Sequence, residues 1–274
     1  LPIPQRDYYA LQAVFAGVER ANRTFDDDPK VHIRRQELMH QRRSVERGER
    51  SLLLSADTEK EIRQWQQDYA SRPVKWQPLA AQTFVSAGGA TLTRQSDNSF
   101  LASGTKPERD TYTLTAAAPE TTVTALQLEV FPDDSLPQRG PGRAENGNLH
   151  LSEVQLLLFE PGAEKARELK LVNPTADFNQ DDWTIAHALD GNEKTAWGIH
   201  PKEGQPHRAV FELKEPLRAP VGATLAVVLK QLHGGGHLIG RFRVSLTDAQ
   251  TPVRIRPADI EELTALPAGE RSEE

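Results

Sequence analysis

Residues 185–201, IAHALDGNEKTAWGIHP, decide the fold. Asp190-Gly191-Asn192 is a tight-turn tripeptide, in which Gly191 supplies the positive φ that a β-branched residue resists. Thr195 and Trp197 follow at alternating spacing, so both leave the turn on one side of an extended segment. An oxygen-rich turn followed by an inward-pointing indole suits a loop that wraps a hard cation or a hydroxyl and is pinned to a core.

Outward from that loop, the chain from Val74 onward reads as β-structure. Helical periodicity stops there, and short alternating runs separated by Gly, Pro, Asn and Asp take over. Candidate strands are 82–86, 91–94, 100–102, 110–116, 123–131, 149–159, 209–213, 224–231 and 240–247. In 123–131, Val123, Ala125 and Gln127 share one face and Leu126, Leu128 and Val130 the other. In 241–247, Phe242, Val244 and Leu246 point in while the Arg, Ser and Thr residues point out. Short antiparallel strands with frequent turns predict a sandwich or jelly roll.

The first 73 residues read differently. Tyr8, Leu11, Phe15 and Val18 form one apolar stripe, predicting a helix over 4–24. Asp28 is a fit N-cap and Pro29 a fit first residue for a second helix, dense in Arg, Glu and Gln and running to about Arg50. Val31, Leu38, Val45 and Leu52 repeat every seven residues, but the second seam is polar, which favours a solvated helix over a coiled coil. Thr58 and Glu61 form a capping box for a third helix carrying Ile62, Trp65 and Tyr69. These stripes are narrow and need a partner surface. The organisation is therefore α+β: a helical segment 1–73, a mainly antiparallel β-sandwich 74–252, and a short helix and linker in 253–274.

The 274 residues carry a net charge of −6, so no global basic field for nucleic acid is present. Without cysteine there is no disulfide framework, no thiol nucleophile and no c-type haem attachment in this segment. No apolar run approaches the ~20 residues of a membrane span. The opening Leu1-Pro2-Ile3-Pro4 has no Met and no apolar run after it, and Ser272-Glu273-Glu274 reads as the cap of a helix that does not follow. Both ends are those expected of a piece of a longer protein.

Three stretches could carry chemistry. Asp190, Asn192 and Thr195 offer part of the oxygen shell that Ca²⁺ takes, with Glu153 or Asp248 to close it; the alternative is an Asx turn needing no metal. The irregular loop 135–148 holds Arg139 and Arg143, able to form bidentate bonds to an acidic or hydroxylated ligand, while Asn146-Gly147 could simply set a turn. Arg143, Asn146 and Asn148 offer planar groups for sugar hydroxyls, Trp183 an aromatic face, and His187 and His200 flank the Asp190 loop. His233-Gly-Gly-Gly-His237 places two histidines four apart, but three glycines argue against the helix that would make them a metal pair. No Ser-His-Asp or paired-carboxylate arrangement stands out, so catalytic residues are not expected.

Several stretches together resemble one family: PQRDYYALQAVFAGVERANR (4–23), LASGTKPERDTYTL (101–114), SLPQRGPGRAENGNLHLSE (135–153), AHALDGNEKTAW (186–197), LIGRFRVSLT (238–247) and ELTALPAGERSEE (262–274). This is similar to the middle of large cytochrome-c-bearing planctomycete proteins, between domains of unknown function 1549 and 1553. The DGN-x-x-T-x-W piece also resembles discoidin-like, galactose-binding-like sandwiches. The resemblance implies export to the periplasm or cell surface, flanking domains in the same chain, a haem domain elsewhere in it, and a polysaccharide-binding insert. A spacer that docks the flanking domains, or an accessory part of a haem-linked oxidoreductase, is the alternative.

Overall fold

Every expected strand is present in the computed structural model, which describes residues 28–49, 55–71 and 74–253 and the single positions 6, 9, 255 and 266. The helix expected over 4–24 and the short helix after Pro257 lie outside the described residues. The chain divides into two compact units, Leu1–Asp68 and Tyr69–Glu274.

In the first unit, helix α1 (Pro29–Glu46) begins as its sequence dictates: the Asp28 carboxylate accepts the Lys30 amide at 2.8 Å, and proline occupies the first turn. Helix α2 (Ala56–Ser71) starts one turn earlier than its capping box suggested. Ser55 is the cap, with Oγ accepting the Thr58 amide at 3.2 Å. The serine at the break thus outcompetes Thr58, whose hydroxyl takes a hydrogen bond from Ser55 instead.

The second unit is a two-layered antiparallel sandwich. Its strands are β1 (Gln77–Pro78), β2 (Thr83–Ser86), β3 (Ala90–Arg94), β4 (Phe100–Gly104), β5 (Asp110–Ala117), β6 (Val123–Val130), β7 (Glu153–Phe159), β8 (Arg167–Leu169), β9 (Leu171–Ala176), β10 (His207–Leu217), β11 (Thr224–Gln231) and β12 (Arg241–Thr247). One sheet runs β3-β4-β12-β6-β10-β9, with β1 also on β12; the other runs β2-β5-β11-β7-β8. Sequence patterning missed β1, β8 and β9. These are short or lie at an edge, and β9 carries Pro174, which only an edge strand tolerates.

Alternation does what it predicts. Phe242, Val244 and Leu246 are buried against Leu126, Leu128 and Val130 and face Tyr112, Leu114, Val227 and Leu156 across the layers. Arg243 points outward to the Glu129 carboxylate at 2.7 Å, and Arg241 to Asp97 and Asp133. A register shift in β10 between Glu212 and Leu217 returns Val123 to the main core, while Ala125 stays on the outer face. There Ala125, Val210 and Val253 form a second small core with Val74, Trp76 and Ile255. The segments leading into and out of the sandwich therefore cross the outer face of one sheet, and Glu212 ties the outgoing one down by accepting the Val253 amide at 2.6 Å.

Candidate functional site

The Asp190 turn sits as its sequence suggests and uses its own oxygens. The Asp190 carboxylate accepts the Asn192 amide at 2.8 Å and the Thr195 hydroxyl at 2.8 Å, and the Asn192 side chain accepts the Lys194 amide at 3.1 Å. This is an Asx turn. Beyond it Trp197 is fully buried, and its indole N–H donates to the Phe178 carbonyl at 3.0 Å. Beneath the turn, one carboxylate oxygen of Glu153 is buried without a hydrogen-bond partner. Burial, with the Asp190 charge beside it, holds the Glu153 carboxyl above its ordinary pKa; the amides of Gly191 and Asn192 and the Lys230 charge pull the other way.

The 135–148 loop is structural where a ligand-binding surface was expected. Arg143 is only 6% exposed, and its guanidinium donates to the Gly104 and Thr105 carbonyls at 2.8 and 2.9 Å. Asn148 is 2% exposed: its amide nitrogen donates to Gln180, and its oxygen accepts the Leu149 and Ile199 amides. Both side chains are spent within the fold, which corrects their assignment to ligand binding. The glycines explain why. A Cβ on Gly140 or Gly142 would stand 2.5 or 2.0 Å from the backbone of Gly147 or Asn148, so the loop closes on itself only without side chains there. The same segment pairs with 238–240, through Arg143 N–H to Leu238 O and Gly142 with Ile239.

The remaining expected residues scatter. Arg139 is exposed and pairs with Asp134 at 2.6 Å. Asn146 is exposed, and its side chain caps the Asn148 amide. His187 meets the Ala196 carbonyl through Nδ1, and the exposed His200 meets Glu203 at 2.6 Å. Only Trp183, Asn148 and His200 are drawn together, through Gln180: its side-chain oxygen accepts from Asn148 and the His200 amide, and its carbonyl accepts the Trp183 amide.

Trp183 organises a cluster that the sequence did not reveal. It follows Asp182 in the left-handed region (φ 64), and its carbonyl accepts the Gly198 amide, so its backbone is fixed against the segment that buries Trp197. The partly exposed indole stacks on His150 with centroids 4.2 Å apart and planes 11° from parallel. His237 stacks on His150 at 4.1 Å and 8°, and His233 meets both rings edge-on. Burial, then the neighbouring His237 and His233, pull the His150 pKa down to about 3; burial also lowers that of His233. The rings come from chain positions 150, 183, 233 and 237, so neither spacing nor periodicity could have assembled them. The glycines of the loop are pinned in turn: the Gly235 amide donates to Glu108 at 2.9 Å. Among the described residues, no three His, Asp or Glu side chains converge on one metal position.

No family model matches the chain, and no curated protein matches it. Among solved structures it is similar to family 29 carbohydrate-binding modules. One variant is 7% identical over 65% of this chain and 91% of its own, at a TM-score of 0.28; a second is 8% identical over 68% and 96%, at 0.29. A third, complexed with cellulohexaose, is 7% identical over 65% and 89%, at 0.26. Likeness this distant carries no argument about a ligand; the antiparallel sandwich rests on the strand pairings themselves.

Proposed function

We propose that the sandwich is a non-catalytic carbohydrate-binding module that holds a polysaccharide on Trp183. One observation carries this reading: the Trp183 indole is partly exposed yet backed by a parallel imidazole and fixed at its backbone, giving a rigid aromatic face at a loop-built end of the sandwich. Sugar C–H groups pack on such a face, and a platform already fixed loses little entropy on binding. Asp181, Asp182 and Thr184 lie exposed beside it in sequence, with acceptors and a hydroxyl for sugar OH groups. The parent protein, by the resemblance above, is a larger exported cytochrome-c-bearing chain. The packing of both linking segments on the outer face of one sheet supports attachment of flanking domains on that side of the sandwich. The test is a panel of soluble and insoluble polysaccharides. Trp183→Ala is expected to lose the binding that the wild type shows while keeping its cooperative melt; equal binding by both proteins would contradict the reading.

Ca²⁺ at the Asp190 turn is the accompanying proposal. The partnerless Glu153 oxygen beside the Asp190 carboxylate supports it, because two adjacent carboxylates with turn carbonyls suit a hard cation. A bound ion would stabilise the native state by mass action. Melting temperatures should therefore rise in millimolar Ca²⁺ and fall in excess chelator; superimposed curves would leave an Asx turn alone.

A further inference from the structure

The sequence sets His233 four residues from His237, but the structure pairs it with His150. Their Nδ1 atoms stand 3.3 Å apart, with the rings perpendicular at 89°. As a hydrogen bond this contact is long, since nitrogen donors ordinarily approach to ~2.7–3.2 Å. It matches another geometry better: with metal–nitrogen bonds of ~2.0–2.1 Å, two corners of a tetrahedral site are about 3.3–3.4 Å apart. We propose that His150 and His233 are the two protein ligands of an open site for a borderline divalent transition metal (Cu²⁺, Ni²⁺ or Zn²⁺), its other positions left to water or a ligand hydroxyl.

The surroundings suit that role. His150 is 6% exposed and stacked on both the Trp183 and His237 rings, so the plane of its imidazole is fixed. His233 is held from its backbone, where the Leu232 and His233 amides both donate to Ser152 Oγ at 3.1 Å. His237 cannot be a third ligand in this arrangement, because its ring lies parallel to His150 and its lone pairs run alongside. That leaves the site open, as in metal sites that bind exchangeable ligands. Imidazole nitrogen selects these ions over Ca²⁺, which prefers oxygen, so the site is chemically distinct from the Asp190 turn. Arg109 and Lys106 approach the glycine loop and oppose a cation, while the Glu108 carboxylate on the Gly235 amide offsets them.

The indole of Trp183, 4.2 Å from the His150 ring and 4.7 Å from the His233 ring, is a built-in reporter. The experiment titrates the chelator-stripped full chain with CuCl₂ and NiCl₂, followed by tryptophan emission and by calorimetry. One saturable equivalent, quenched emission and no response to CaCl₂ are expected. His233→Ala, at a half-exposed loop position, should weaken binding by about tenfold or more, as loss of a ligand does, with the metal-free melt little changed. Trp183→Phe should abolish most of the quenching and retain the calorimetric equivalent. His40→Ala, removing an exposed histidine of helix α1, should bind like wild type. Absence of a saturable equivalent in the wild type would overturn the site, as would His233→Ala binding like wild type.

Discussion

Arg143→Ala separates a structural arginine from a ligand-binding one. The guanidinium makes two charge-assisted hydrogen bonds, to the Gly104 and Thr105 carbonyls. Each such bond contributes about 1.5–3 kcal/mol net, so the pair amounts to about 3–6 kcal/mol. Residues 104 and 105 are exposed, so water can reach the vacated carbonyls and the lower end applies, about 3 kcal/mol. For a domain of about 150–250 residues that corresponds to a fall in melting temperature of about 6–12 °C. The assay is thermal unfolding followed by circular dichroism, with glycan binding measured well below the melt. The expected result is a large fall in stability with binding at Trp183 retained. An unchanged melt with binding lost would return Arg143 to the ligand surface and refute the reasoning.

Two further outcomes follow from the charges. Partial burial opposes ionisation of Asp97 and Asp133, but the hydroxyl and amide of Ser99 and of Ser135, together with Arg241, hold both below their ordinary pKa. Their stabilisation is therefore complete above the unfolded value of about 3.9 and lost as pH falls through the lower folded values. Arg241→Ala should flatten that acid limb of the stability curve; an acid limb of the same steepness would argue against the network. Burial, with the charge of Asp110, pushes the Tyr112 hydroxyl up to about 12, against the pull of Arg143. The stabilisation that comes with it is present below the unfolded value of about 10 and is lost as pH rises through the folded one. Tyr112→Phe should cost about 1 kcal/mol at pH 7, through loss of the bond to the Ile239 carbonyl, and should remove part of the alkaline denaturation; matching alkaline profiles would contradict this.

Much of the fold was legible because burial imposes period two on a strand with one wet face. Residues 241–247 show it cleanly, and Thr224–Gln231 was bounded correctly. Three strands were not legible: β9 carries a proline, and the short β1 and β8 have too few residues to show a period. Trp197 was readable as core because its spacing from a rigid turn fixes its direction. The burial of Arg143 was not legible, for a physical reason. In Gly140-Pro141-Gly142-Arg143, polar and glycine residues looked like a presenting loop, yet tight backbone closure buries the arginine. His150 looked like one position in a strand run, and only the fold brings it to Trp183 and His233.

The central claim is that Trp183 is the platform, and indole N–H resonances test it residue by residue. The chain has four tryptophans, of which Trp197 is wholly buried and Trp183 partly exposed. Titrating ¹⁵N-labelled protein with an oligosaccharide cut from the tightest-binding polysaccharide should shift the Trp183 resonance, assigned by its loss in Trp183→Phe, and leave that of Trp197 in place. Saturable binding that leaves the Trp183 resonance unmoved would contradict the account.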